Sequence, residues 1–299
     1  MIQFGLYTAA FLLFGGCGSS GSTVTSASTT TAETTTDSQT ETSIGSGTST
    51  NTGTATVQVQ ACPEMDDSEP IEIYNHRVES ATSIDGLTFN DGHTVLIEHA
   101  SVPDGILRSD GATWVYFVNG QPGQHGVFLA RKEADEEVFE VFDCLRIGGI
   151  FNGNAVDPDI VLDSEGRYRL FYFQGWFDGT GPPPPGAPHP FYMAFSDDGI
   201  EFEEPNLILE VEEGGTDPTA VQLPNGNWLV ALTRLDEVLL VSSADGTNFA
   251  FTEHRFPGGI SELALFDDGT IRLYIARIGL TIFSSHDGGE TWAEEATTT

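Results

Sequence analysis

A short element recurs along this chain: a serine, an aspartate two residues on, a glycine, then an aromatic. It reads Ser83-Ile84-Asp85-Gly86-Leu87-Thr88-Phe89. It returns as Ser196-Asp197-Asp198-Gly199-Ile200-Glu201-Phe202 and as Ser243-Ala244-Asp245-Gly246-Thr247-Asn248-Phe249. The last copy is Ser285-His286-Asp287-Gly288-Gly289-Glu290-Thr291-Trp292, and a worn copy, Glu133 to Phe139, keeps only Asp135 and the aromatic. The aromatics stand at 89, 139, 202, 249 and 292, so the intervals are 50, 63, 47 and 43 residues. Units of that length are supersecondary repeats stacked side by side. The chemistry of the element is structural. Serine and aspartate side chains bond turn amides, glycine supplies a positive φ, and the aromatic packs back on the repeat. No catalytic role is assigned to Asp85, Asp198, Asp245 or Asp287.

A second repeat lies between these turns. Pro103–Gly111 leads into Trp114–Val118, and Asp157–Gly166 into Tyr168–Phe173. Asp217–Gly226 leads into Trp228–Thr233, and Ser261–Gly269 into Ile271–Ala276. Each is an apolar strand, a tight Asp/Asn-Gly type turn and a second strand, which is a β-hairpin. Hairpin plus Ser-x-Asp-Gly turn makes a four-stranded antiparallel blade, so the expected fold is an all-β propeller of five blades over 57–296. Four inner hairpins are visible. The first blade is therefore degenerate, and its inner pair comes from 56–80 or is absent.

Propeller geometry brings the start of each inner strand and the end of the next to one funnel. Aligned on Gly111, Gly166, Gly226 and Gly269, the inner strands open with Asp104, Asp159, Thr219 and Glu262. Two residues earlier stand Val102, Asp157, Asp217 and Ile260, and the second strands end in Asn119, Gln174, Arg234 and Arg277. Ionisable groups at the centre of a fold are costly unless paired or used. Asp104, Asp157 and Glu262 are the candidate catalytic carboxylates. Asp159, Asp217, Arg234, Arg277, Gln174, Trp176 and His99 are the candidate ligand contacts. Asp157 and Asp217 also admit a plainer role, an aspartate before proline tying down its own loop. The two arginines could simply neutralise nearby acids. The longest loop, Gln174 to Pro190, carries Trp176, Phe177 and Pro182–Pro185, which suit the rim of a sugar pocket.

The two ends bound the setting. Residues 1–17 form an uncharged, apolar stretch ending in Leu13-Phe14-Gly15-Gly16-Cys17, too short for a membrane-spanning helix. It is similar to a bacterial lipoprotein signal with Cys17 as the lipidated residue, and an ordinary signal peptide is the alternative. Residues 18–56 are almost all Ser, Thr, Gly and Ala, with no hydrophobic period, which predicts a disordered tether. An exported protein, either cell-surface, outer-membrane or secreted, is expected. Cys62 and Cys144 can then oxidise to a disulfide, with two separate thiols as the alternative. Lys and Arg number 11 against 45 Asp and Glu, a net charge of −34. That argues against nucleic acid and against anionic membranes, contact with a membrane being through a lipid anchor alone. A monomer is expected. The sequence shows no Ser-His-Asp pattern, phosphate loop or His/Cys zinc spacing.

The stretch Val156-Asp157-Pro158-Asp159-Ile160-Val161-Leu162-Asp163-Ser164-Glu165-Gly166, followed by Arg167 to Phe173, resembles the Asp-Pro strand and hairpin of five-bladed glycoside hydrolases. These are the arabinanase, xylosidase and invertase-like propellers, glycoside hydrolase family 43 among them. The turn at Ser285 to Trp292 resembles the Asp-box of sialidase-type propellers. The resemblance covers about residues 70–295 and implies an Asp base, an Asp that tunes pKa and a Glu acid. By position Asp157 matches the tuning residue, Glu262 is the one axial Glu, and Asp104 is the remaining candidate base. An inverting hydrolase needs two carboxyls about 6.5–9.5 Å apart. The family's base opens its first blade, where this chain has no identifiable Asp. Three functions stay open: a glycan-directed hydrolase, a propeller binding glycan or protein without catalysis, and a structural propeller. No cofactor is expected; in the structural reading the funnel is inert or holds a Ca²⁺ between Asp104, Asp157 and Asp159.

Overall fold

The structure is a computed structural model that describes residues 61–64, 72–175, 187–277 and 279–298. The signal, Cys17, the tether and Trp176 lie outside the described residues. After a 3-10 turn, Glu72–Asn75, every element is a strand. Strands β1 (Arg77–Ser83) and β2 (Phe89–Glu98) pair as a two-stranded sheet. Strands β3 (Ala100–Leu107), β4 (Thr113–Asn119), β5 (Val127–Lys132) and β6 (Glu140–Cys144) form a four-stranded antiparallel sheet in chain order. Then come the two-residue strands β7 (Arg146–Ile147) and β8 (Ile150–Phe151). The next four-stranded sheet runs β9 (Ala155–Leu162), β10 (Tyr168–Gln174), β11 (His189–Ser196), β13 (Asn206–Val211), with the two-residue β12 (Glu201–Phe202) before its last member. Two more follow: β14 (Thr216–Gln222), β15 (Trp228–Arg234), β16 (Glu237–Ser243), β17 (Ala250–Pro257), and β18 (Ile260–Leu265), β19 (Ile271–Arg277), β20 (Gly279–Ser285), β21 (Ala293–Thr298).

Among the described residues the sheets number six, not the expected five. Four are the expected four-stranded antiparallel blades. The sixth sheet is small: β12 pairs in parallel with β7, and β7 antiparallel with β8. It stitches two neighbouring blades together where Arg146, itself only 8% exposed, reaches Glu201 at 3.1 Å. The β1–β2 sheet has no inner pair among the described residues.

Turn chemistry explains why these segments become hairpins. Gly111, Gly166, Gly226 and Gly269 each hold φ between 81° and 89°. Each donates its N–H back to the carbonyl three residues earlier, at 2.8–3.0 Å. A side chain at these positions would sit in a conformation that L residues rarely adopt. In the Ser-x-Asp-Gly turns the serine Oγ accepts from a glycine N–H, at 2.8 Å in Gly86 and 2.9 Å in Gly199, Gly246 and Gly289. The aspartate accepts from the two amides that follow in the first three copies.

These turns also join one sheet to the next, always onto the second strand of the preceding blade. Tyr116 on β4 donates to the Gly199 carbonyl at 3.0 Å, and Arg169 on β10 donates to the Gly246 carbonyl at 3.0 Å. Gly289 packs on Leu229 of β15 so closely that a Cβ there would stand 3.2 Å away. The ring closes by the same device: Tyr274 on β19 donates to the Gly86 carbonyl at 3.0 Å and Arg272 to that of Asp85 at 2.6 Å. The worn copy at 133–139 belongs to the β3–β6 blade. Among the described residues the sheet before it has no inner pair and so offers that turn no second strand to dock on. Tyr274→Phe is expected to lower stability by about 1 kcal/mol, since it leaves the Gly86 carbonyl without its donor. Urea unfolding of the variant against the parent checks this.

The core lies between adjacent sheets. Trp114, Tyr116, Tyr168 and Leu170 fill the space between β4 and β10. Phe171, Phe173, Trp228 and Val230 fill the next space, and Leu229, Ala231, Leu273 and Ile275 the one after. Val78 and Ile97 cover Val115 and Phe117 on the other side of β4. Cys62 and Cys144 are disulfide-bonded, with Cα atoms 5.7 Å apart, which fixes residues 61–64 to β6.

Candidate functional site

The inner strands β3, β9, β14 and β18 stand side by side around the axis. Three of them carry an irregularity at a proline. Register slips between Ser101 and Asp104, opposite Pro158, and between Thr216 and Thr219. The residue before each proline, Val102, Asp157 and Asp217, holds φ of 45°, 52° and 48°. Non-glycine residues in that region are strained, and surrounding structure must hold them there. In β18 Ser261 replaces the proline, and the ladder with β19 runs without a slip.

The next residue in each strand reaches across to its neighbour. Asp104 Oδ2 accepts from Ile160 N at 2.6 Å and Oδ1 from Gly105 N at 2.7 Å. Asp159 Oδ2 accepts from Ala220 N at 3.1 Å, and Thr219 Oγ1 from Leu263 N at 2.9 Å. Glu262 breaks the series. Its neighbour in the ring is the β1–β2 sheet, which offers no inner-strand amide among the described residues. Asp104, a candidate catalytic carboxylate, thus also has a structural task through these two amide bonds.

Burial dominates the electrostatics. It raises Asp104 to about 6, against the pull of the Ile160 and Gly105 amides. Burial holds Asp159 and Glu262 well above the usual carboxylate range, and the charge of Asp104 pushes both further up. The Thr219 hydroxyl works against this at both acids. Asp157 is raised to about 8 by burial and then by Asp217, whose N–H donates to Asp157 Oδ2 at 3.2 Å. Burial raises Asp217 as well.

Asp104, Asp159 and Glu262 border two cavities. One, of about 830 Å³, opens toward the hairpin turns and is walled by residues such as Leu107, Leu162, Gln222 and Leu265. The other, of about 40 Å³, lies on the far side of the acids against Pro103, Pro158 and Pro218. The larger cavity is open and its lining is mixed, with polar residues such as Asp163, Ser164, Gln222 and Asn225 beside the leucines.

The other expected contacts do not join this cluster. Arg234 pairs with Glu237 across its own tight turn, because the two face each other in the β15–β16 ladder. Arg277 ends β19 exposed and lines neither cavity. His99 stacks on Tyr74 at 3.9 Å with Nδ1 2.6 Å from the Tyr74 carbonyl, so it fastens the 3-10 turn and not a ligand. Gln174 uses its carbonyl to face His189 Nε2 at 2.8 Å and lines neither cavity. Asp157 also lines neither, while Asp217 borders the small one. Among the described residues no three axial carboxylates bring oxygens within 4.8 Å of one another, so Asp104, Asp157 and Asp159 do not form a ready cation cage. Thr219 and Ser261 were not singled out as site residues. Both were visible in the aligned columns as the positions where an acid and a proline are replaced.

The sheets can now be compared with known structures. A thermostable family-43 glycoside hydrolase superposes with a TM-score of 0.57 at 11% identity, over 79% of this chain and 92% of that one. The endo-arabinase of Bacteroides thetaiotaomicron gives 0.51 at 14% identity, over 75% and 86%. The chain is a β-propeller. A family 117 glycoside hydrolase of Zobellia galactanivorans gives 0.50 at 11%, over 67% of this propeller and 69% of that chain. No protein-family model and no curated protein matches the sequence. What the propeller shares with these structures is the fold.

Proposed function

We propose that the propeller acts on carbohydrate as a glycoside hydrolase, with Glu262 as general acid and Asp104 as general base at the floor of the larger cavity. One observation carries this reading: Glu262 borders that cavity, holds its proton above the usual range, and unlike Asp104 and Asp159 is not committed to a neighbouring strand's amide. A protonated carboxyl of this kind can give its proton to the glycosidic oxygen as that bond breaks. Asp104, raised only to about 6, is ionised at neutral pH and takes the proton from the water that forms the new bond. Asp159, between them in the ring, is itself held toward its protonated form. The similarly folded proteins, glycoside hydrolases of families 43 and 117 among them, support the substrate class. The Ser-x-Asp-Gly turns support kinship with Asp-box propellers. The sequence around Cys17 and the stretch 18–56 support an exported, lipid-anchored setting.

A second reading, sugar binding without catalysis, is favoured by the amide bonds of Asp104 and Asp159, which give both acids a structural task. A panel of aryl glycosides and plant and algal polysaccharides separates the two. Hydrolysis by the parent with a loss on the order of 10³-fold in Glu262→Gln is the expected result for a general acid. Binding by both proteins without turnover assigns the propeller to recognition. Neither binding nor turnover across the panel overturns the carbohydrate reading.

A further inference from the structure

The 40 Å³ cavity has a feature that the proposed chemistry does not use. At the level where the other inner strands place Pro103, Pro158 and Pro218, β18 places Ser261. Ser261 is 5% exposed, and its Oγ has no hydrogen-bond partner. A hydroxyl shut away from water without a partner costs about 1–3 kcal/mol, so such groups in folded proteins are normally satisfied by something. The proline rings on the other three sides offer no donor or acceptor. Its other lining residues include the acids Asp104, Asp159, Asp217 and Glu262.

We propose that this cavity is a single-water site in which one bound water joins Ser261 Oγ to the axial carboxyls. The size fits: a cavity needs about 10–15 Å³ to hold a water, and a buried water makes 2–4 hydrogen bonds to polar neighbours. The chemistry fits as well. Ser261 supplies one O–H and two acceptor lone pairs, and a protonated carboxyl supplies both a donor and an acceptor. Water, with two of each, can serve a hydroxyl and two carboxyls together. A cation fits less well, since the acids are held toward their neutral form and no three of them converge within 4.8 Å. The water also gives Asp217, which does not border the larger cavity, a hydrogen-bonded route to Glu262, which borders both. It is a proton connection between the two sides of the acid cluster.

A crystal structure of the full chain, grown without divalent cations, tests this independently of any enzymatic activity. The expected result is one peak in the cavity, about 2.7–3.2 Å from Ser261 Oγ and from at least one carboxyl oxygen. An empty cavity overturns the proposal. So does a peak about 2.3–2.6 Å from three or more oxygens, which is a cation. In Ser261→Ala the peak is expected to vanish or move, and in Ser261→Thr, which keeps the hydroxyl, to stay. An unchanged peak in Ser261→Ala overturns Ser261 as its anchor.

Discussion

Between pH 5 and pH 9 the propeller is expected to lose stability steadily, and Asp157→Asn is expected to remove much of that loss. Asp157 is raised to about 8 and Asp104 to about 6 in the folded state. A carboxyl raised above its unfolded value binds its proton more tightly when folded. Its contribution is complete below the unfolded value near 4 and is lost as pH climbs through the folded one. For Asp157 alone, a rise from 3.8 to about 8 corresponds to roughly 6 kcal/mol between pH values below the first and above the second. Asn is neutral throughout and keeps an oxygen to accept from Asp217 N. Its unfolding free energy should therefore fall less steeply with pH than the parent's, the remaining slope coming from Asp159, Asp217 and Glu262. The turn aspartates work the other way. Asp287, held at about 2 by Thr291 and Ser285, contributes above its unfolded value and loses that contribution as pH falls toward 2. The parent is thus expected to be most stable in mildly acid solution. Chemical denaturation at several pH values checks both limbs, and parallel curves for parent and Asp157→Asn would remove Asp157 from the explanation.

Loss of the disulfide is the second large effect. Cys62 and Cys144 close a loop with a sequence separation of 82. A cross-link of that span restricts the unfolded chain by about 4 kcal/mol in the loop-entropy account. The double variant Cys62→Ser/Cys144→Ser is expected to lose about that much, and the parent under reductant should match it. The β1–β2 sheet should loosen first. It packs on β4 beside Cys144, in the cluster containing Val78 and Phe117. Amide hydrogen exchange with and without reductant measures this, and uniform loss of protection in every blade would contradict the local account.

The parts of the fold that were legible in the sequence are those made by local chemistry. Gly111, Gly166, Gly226 and Gly269 announce hairpins because their backbone angles admit little else, and the Ser-x-Asp-Gly turns announce themselves by hydrogen bonds within four residues. The axial columns followed, since aligning the hairpins aligns the inner strands. What depends on one blade meeting another was not legible. The two-residue strands β7 and β12 pair across a separation of 55 residues and have no periodicity to betray them. Asp104 bonds Ile160 because β3 and β9 lie at one particular stagger, set by slips at the prolines. Arg234 sat in the right column, but Glu237 beside it was the nearer charge.

The manner in which the ring closes constrains how this protein is made. The turn at Ser83 to Gly86 leaves the ribosome long before its receptors, Arg272 and Tyr274, some 187 residues downstream. Each later turn meets a neighbour already synthesised; the earliest meets the last. Until the C-terminal blade exists, the first sheet has one face without its eventual cover. Contacts of such long separation form late. The vulnerable species in its biogenesis is therefore an open arc with unsatisfied carbonyls at Asp85 and Gly86, and a nascent chain stalled short of Arg272 should be far more sensitive to protease at its first sheet than at its central blades.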